Sequence, residues 1–323
     1  MRGVDRTGRP LIEKERSFSL SALADRLRGS GFIVTAELNP PKSASATVVR
    51  RRAEALKGFV DAVNVTDSNR AMVAMAAVAA AVIIRNAGVE PIVQMTGRDR
   101  NRIALQADVL GAAALGIENF VFMSGDDPKQ GSHPDAVNVK DLDGIGLVKM
   151  AAGLRDGRFL SGDEIKSGAP KLVIGATASP FAKPMDADVV KTVDKISAGA
   201  EFFQTQPVFD LATFSQWLVE IRRHGSRDVP ILAGVLVLRS AEQADRLAKV
   251  PGLAIGREVL DRMNKATDAE AEGVAIAIEQ TRSLKALPGV RGVHVYAIEW
   301  PEAVGRVTEG AGLLPREEAK VPV

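Results

Sequence analysis

The 323-residue sequence predicts one α/β domain, a single (β/α)8 TIM barrel. Eight short apolar or β-branched runs recur along it, and helix-like stretches with apolar residues at three- and four-residue spacing separate most of them. The runs are almost continuously apolar, as strands covered on both faces must be. An open doubly wound sheet is the structural competitor. Residues 1–30 read as a short N-terminal extension, 31–314 as the catalytic barrel, and 315–323 as a charged, proline-bearing C-terminal tail expected to fray.

In chain order the expected strands are "FIVTAEL", "AVNVT", "PIVQMT", "NFVFMS", "LVIGATA", "FFQTQPV", "PILAGVLV" and "GVHVYAI". "SATVVRRRAEALKG" follows the first with helical periodicity, and "AMVAMAAVAAAVII" follows the second as a small-residue helix packed inside the protein. "RNRIALQADVLGAAALG" follows the third. The fourth leads into the longest insertion, about 127–170, which carries a helix-like "LDGIGLVKMAAGL". "DADVVKTVDKISAG", "LATFSQWLVEIRRHG" and "SAEQADRLAKV" follow the fifth, sixth and seventh; several of these helices end at glycine, and Ser240 with Gln243 looks like a capping box.

Composition narrows the chemistry. With 42 basic and 40 acidic residues, nothing favours a nucleic acid or an anionic membrane as partner. The absence of cysteine excludes disulfides, a catalytic thiol and thiolate metal sites, so redox chemistry needs a bound organic cofactor. The charged start lacks the apolar core of a signal peptide, and no stretch has the length of a membrane span, so a cytoplasmic location is the expectation.

In such barrels chemistry sits at the C-terminal ends of the strands. Counting in steps of two places Thr35 with Glu37, Asn64 with Thr66, Gln94 with Thr96, Ser124 with Asp126, Gln204 with Gln206, and His294 with Tyr296 on shared faces. Six such pairs would line one mouth with hydrogen-bonding groups. Gly125 leaves room for backbone to approach a ligand, whereas Asp127 can simply cap the turn at Pro128. Glu37 is an acid that must find a base, find water, or stay protonated for proton transfer. The histidines show no metal-ligand spacing, so surface or core roles are expected for each. "GRDRNR" suits either a phosphate contact or a solvated helix start.

The ordered set "TAELNPPK", "AVNVTDSN", "VQMTGRDRNR", "FMSGDDP", "SAGAEFFQTQPVFD", "ILAGVLVL" and "GVHVYAIEWPEAV" resembles the methylenetetrahydrofolate reductase family over about 32–314. The resemblance implies a flavoprotein oxidoreductase of one-carbon metabolism and methionine biosynthesis. FAD would take hydride from NADH or NADPH and pass it to 5,10-methylenetetrahydrofolate, giving 5-methyltetrahydrofolate, or run the reverse in one-carbon catabolism. By the same resemblance Glu37 matches the general acid that opens the folate ring, and Asp126 matches the aspartate beside flavin and pterin. Gln206 matches the glutamine that contacts pterin and nicotinamide in turn, with Gln204 beside it on the substrate side. Thr66, Gln94, Thr96, Gly125, Ala176, Asp188, Lys191 and Lys195 fall at cofactor positions, and no metal is implied.

The sequence departs from the family pattern at Asp194, where well-known members carry a basic residue near the flavin phosphate, and "GATASPFAKP" lacks an aromatic that some members place by the flavin. Two rival expectations stay open: a metal-dependent barrel lyase using Glu37 and Asp126, and a flavin-poor folate-binding subunit that needs a partner. Family barrels commonly associate, so a homo-oligomer is compatible with the sequence.

Overall fold

A computed structural model of the chain describes residues 21–225, 228–250 and 252–316. Eight parallel strands close into a barrel in the order β1-β2-β3-β4-β5-β6-β7-β8. They are β1 (Ile33–Leu38), β2 (Ala62–Val65), β3 (Pro91–Thr96), β4 (Asn119–Met123), β5 (Val173–Ala178), β6 (Phe202–Pro207), β7 (Ile231–Leu236) and β8 (Val290–Tyr296). Each coincides with one of the eight expected runs. The closed barrel excludes the open doubly wound sheet.

Helices α1 (Ala22–Arg28), α2 (Ala46–Glu54), α3 (Ala77–Asn86), α4 (Arg102–Ala114), α5 (Gly144–Arg155), α6 (Met185–Ala198), α7 (Leu211–His224), α8 (Ala241–Leu247), α9 (Arg257–Lys265), α10 (Ala269–Ala286) and α11 (Glu302–Gly310) surround it. Short polar side chains set many of their starts: Asn101, Asp143, Asp210 and Asp268 each accept a backbone N–H in the first turn. Ser240 accepts the Gln243 N–H while Gln243 Oε1 accepts the Arg239 N–H, a capping box shifted by one residue. Where one helix was expected after β7, three stand. The amphipathic α9 and the long α10 close a separate apolar cluster around Leu236, Leu238, Met263 and Ile276.

Three layers fill the barrel. Ile33, Ala62, Ile92, Val121, Val173, Phe202 and Leu232 form the lowest, and α1 seals it from beneath with Leu23 and Ala24. Gly175 is required there, because an added Cβ would lie 2.4 Å from the Phe202 ring. Above it Thr35, Asn64, Gln204 and His294 form a buried polar layer. Gln204 bridges Asn64 at 2.6 and 2.9 Å and donates to Thr35 Oγ1 at 3.2 Å, while Thr35 Oγ1 lies 2.9 Å from His294 Nδ1. Burial pushes the His294 imidazole down to about 3, so it stays neutral. The uppermost layer is the mouth.

The β6–β7 ladder shifts register between Gln204 and Pro207. Proline has no N–H to give, and the next residue donates instead, Val208 N–H to the Gly234 carbonyl at 2.9 Å; Thr205 serves the groups the shift leaves, its Oγ1 accepting the Gly234 N–H and its carbonyl the Tyr296 hydroxyl, both at 3.0 Å. At the bottom, Arg316 reaches back to Asp61 and donates to the Phe32 carbonyl at 2.7 Å. Most of the tail expected to fray, 317–323, and most of the N-terminal extension, 1–20, lie outside the described residues. Among the described residues no helix is long and apolar enough to cross a membrane.

Candidate active site

The C-terminal strand ends frame a cavity of about 490 Å3. Gln94 and Thr96 from β3, Gly125 and Asp126 beyond β4, Asp188, Lys191 and Lys195 from α6, and Gln206 from β6 line it. These eight sequence-predicted positions are therefore brought together. A second chamber of about 460 Å3 lies beside it, walled by Pro40, Pro41, Thr66, Met72 and Ile298 and rimmed by Lys42, Arg52 and Arg70. Asn69 belongs to both linings.

Glu37, next to last in β1, is half-buried and lines neither of these spaces but a small niche with Asn39, Arg52 and Glu299; its hydrogen-bond partners Gln94 and Asn39 line the first and the second in turn. Burial pushes its carboxyl up to about 7; hydrogen bonds with Gln94 and Asn39 pull the other way, and the charge of Asp126 adds to the rise. A group poised there is protonated and unprotonated in similar amounts near neutral pH, which suits proton transfer. Asn39 is itself held, since its Oδ1 accepts from Thr66 at 2.9 Å and its carbonyl accepts from Arg52 at 2.6 Å. The nearby Tyr296 phenol is pushed up by burial and by the Glu37 charge, so it remains neutral.

Asp126 is exposed at the mouth and accepts the Arg70 N–H at 2.8 Å. That bond holds a loop in which Ser68, Arg70 and Ala71 all take positive φ. Gly125, at φ +84°, permits close approach: a Cβ there would lie 2.9 Å from Thr96 Cβ and 3.1 Å from Arg98 Cβ. Asp127 caps its turn as expected, accepting the Lys129 N–H at 3.0 Å.

On the α6 side, Lys195 Nζ donates to the Thr177 carbonyl at 2.7 Å, and burial lowers its pKa. Asp188 accepts from Ser179 N at 3.1 Å and Trp217 Nε1 at 2.9 Å, so its charge serves to fasten α6 to β5 and α7. Lys183 and Lys191 complete a basic wall. Asp194, at the position that departs from the family pattern, is exposed and does not line the cavity.

Besides Glu37, three expected positions do not line the first cavity. The Ala176 side chain faces the helices within the apolar core, because strand alternation turns Thr177 inward instead. Gln204 lies beneath the cavity, locked into the polar layer. Thr66 lines the second chamber rather than the first. Conversely, Asp67 lines the cavity without having been singled out, and Arg98 lines it from within "GRDRNR". Asp67 follows Thr66 just past β2, where alternation no longer indicates direction. "GRDRNR" ends in the expected solvated helix start, with Asn101 capping α4 and exposed Arg102 opening it and pairing with Asp141 at 2.7 Å, while before it Arg98 grips Asp99 and Arg100 grips Asp67, each at 2.7 Å.

Comparison with known proteins agrees with this architecture. The family model "Methylenetetrahydrofolate reductase" matches residues 22–312. Methylenetetrahydrofolate reductase 1 of Schizosaccharomyces pombe is 27% identical over 156 residues, 46% of this chain but only 26% of that protein. The 5,10-methylenetetrahydrofolate reductase of Pectobacterium carotovorum is 25% identical over 233 residues, 71% of this chain and 72% of that one. The chain thus spans about a quarter of the fission-yeast relative and most of the bacterial one. In three dimensions, an uncharacterized protein from Clostridium thermocellum that binds two copies of 5-methyl-5,6,7,8-tetrahydrofolic acid superposes with a TM-score of 0.61 at 15% identity. That match covers 90% of this chain and 96% of that one, a likeness of fold. From the match of the family model over nearly the whole described barrel, the chain belongs to the methylenetetrahydrofolate reductase family.

Proposed function

We propose that the protein interconverts 5,10-methylenetetrahydrofolate and 5-methyltetrahydrofolate, with Glu37 as general acid and a flavin as hydride carrier. The carrying observation is a carboxyl with a pKa of about 7 at the end of β1, beside a polar cavity of flavin-accommodating size.

Opening the five-membered ring of the folate requires a proton on a weakly basic nitrogen. Neutral Glu37 supplies it, and the electron pair of the breaking C–N bond stays with that nitrogen, leaving an iminium cation on the other. Asp126 then favours this cation by its negative charge. The Gln206 amide offers both a donor and an acceptor to a planar ring. The basic wall of Lys183, Lys191 and Lys195 fits a cofactor phosphate; Asp188 on the same lining is engaged by Ser179 and Trp217, and Asp194 lies off it. A flavin bound there supplies hydride received from NADH or NADPH. The second chamber, with Lys42 and Arg70 at its rim and proline walls, fits the aryl and carboxylate end of the folate.

The test is anaerobic visible spectroscopy of the flavin-loaded protein. Bleaching of the flavin band by NADH or NADPH, followed by its return on adding methylenetetrahydrofolate, is the expected result. A protein that takes up no flavin contradicts the reading.

A further inference from the structure

We infer that Asn39 is a positioning residue for the proposed acid: three anchors turn its side-chain N–H onto the Glu37 carboxyl, where it favours the ionised form and so sets how readily the proton is given up. The inference rests on the reading of Glu37 as proton donor above.

Asn39 follows β1 at once and precedes Pro40, which confines its backbone to an extended conformation. The Arg52 guanidinium of α2 holds its carbonyl at 2.6 Å. On the side chain, Oδ1 accepts the Thr66 hydroxyl at 2.9 Å and the Asn69 amide at 3.3 Å, both from the segment just past β2. Two donors on one oxygen decide which way the amide faces. The opposite atom, Nδ2, can only donate, and it is the atom left for Glu37, with which Asn39 shares its niche.

An N–H aimed at a carboxyl stabilises the charged form more than the neutral one. Asn39 therefore opposes burial, which by itself would leave Glu37 a weaker acid. Gln94 is the other amide on Glu37, but it lines the first cavity, where a ligand can claim it. The titratable and charged groups facing Glu37 are Asp126 beyond β4, Tyr296 on β8, and Arg52 of α2 with Glu299 in the niche. Asn39→Leu leaves them in place, because Arg52 is held by a backbone carbonyl that leucine retains and by Glu299.

The test titrates Glu37 directly in flavin-free protein, by isotope-edited NMR of the glutamate side-chain carboxyls, with Glu37→Gln identifying the resonance. The wild-type midpoint should be about 7. In Asn39→Leu it should rise by about one to two pH units, the scale of one hydrogen bond to a charged group. Thr66→Val keeps the side-chain shape and removes the main anchor on Oδ1, so it should move the midpoint the same way even if Asn39→Leu fails to fold. Thr66→Ser, which keeps the hydroxyl, should hold the wild-type value. A midpoint unmoved or lowered in Asn39→Leu or in Thr66→Val overturns the inference alone. A wild-type midpoint at the ordinary 4.5 overturns both the inference and the reading on which it rests. In the flavin-loaded enzyme, the basic limb of flavin reoxidation by methylenetetrahydrofolate should follow the NMR midpoint from variant to variant. A limb that stays put while the midpoint moves supports the bond between Asn39 and Glu37 and overturns the proton-donor reading.

Discussion

Glu37 carries its role through its surroundings. Its folded pKa of about 7 exceeds the ordinary 4.5, so the folded protein holds a proton that the unfolded chain releases between those values. The associated stabilisation is complete below pH 4.5 and is lost as pH rises toward 7. Glu37→Gln mimics the neutral acid, so its melting temperature should exceed that of wild type at pH 8, by on the order of 2 °C per kcal/mol, and the advantage should vanish near pH 4. Scanning calorimetry at the two pH values checks this. In turnover, folate reduction should decline as pH climbs through 7, because the proton donor is depleted; a pH–rate profile with its basic limb elsewhere would place the donor on another group. Glu37, Gln94, Thr96 and Gln206 were legible in the sequence because alternate residues of a strand share a face; Asp126 was named by the same count, but β4 turns Val121 inward, and Asp126 meets the mouth only because the chain leaves the strand before it. Asp67 was not, since alternation lapses just past the strand ends and only tertiary pairing decides which way such a side chain turns.

At the scale of elements, α6 is what the proposed flavin site leans on. It presents Lys191 and Lys195 to the cavity while Asp188 ties it to Ser179 and Trp217. Lys195→Ala should weaken flavin binding roughly 10- to 150-fold, the range of a charge-assisted hydrogen bond of roughly 1.5–3 kcal/mol. Asp194→Ala should leave the dissociation constant within about two-fold, because that side chain is off the wall. Flavin titration of the two variants separates these outcomes, and a strong effect at Asp194 would put the acid beside the phosphate after all. The strands were all legible, being apolar on both faces, and so were the helices carrying a clear 3.6-residue stripe. The helices α9 and α10 were less so: α9 is short and largely polar outside its apolar stripe, and α10 buries small residues such as Gly273 and Ala277 that give a weak signal.

Over the whole molecule, stability and chemistry occupy opposite ends of the barrel. Leu23 of α1 is fully buried against the lowest interior layer, remote from the mouth. Leu23→Ala should lower unfolding free energy by about 2–5 kcal/mol in urea titrations while leaving the turnover of folded enzyme unchanged. Gly175→Ala should also destabilise, because its methyl group would displace the Phe202 ring that fills the same layer. The closed barrel was legible from the number and continuity of the apolar runs. Its buried polar middle layer was visible only as alternate polar residues, whose depth below the mouth depends on how the strands are staggered.

The most direct test of Glu37 as proton donor is an anaerobic stopped-flow comparison of wild type and Glu37→Gln, each loaded with flavin, reduced with NADH or NADPH and then mixed with methylenetetrahydrofolate. Bleaching by nucleotide should proceed at the wild-type rate in the variant, while the return of the flavin band with folate should slow by about 100-fold or more, as loss of a general acid entails. A variant that reoxidises with folate as fast as wild type, or that loses both half-reactions equally, would contradict the assignment.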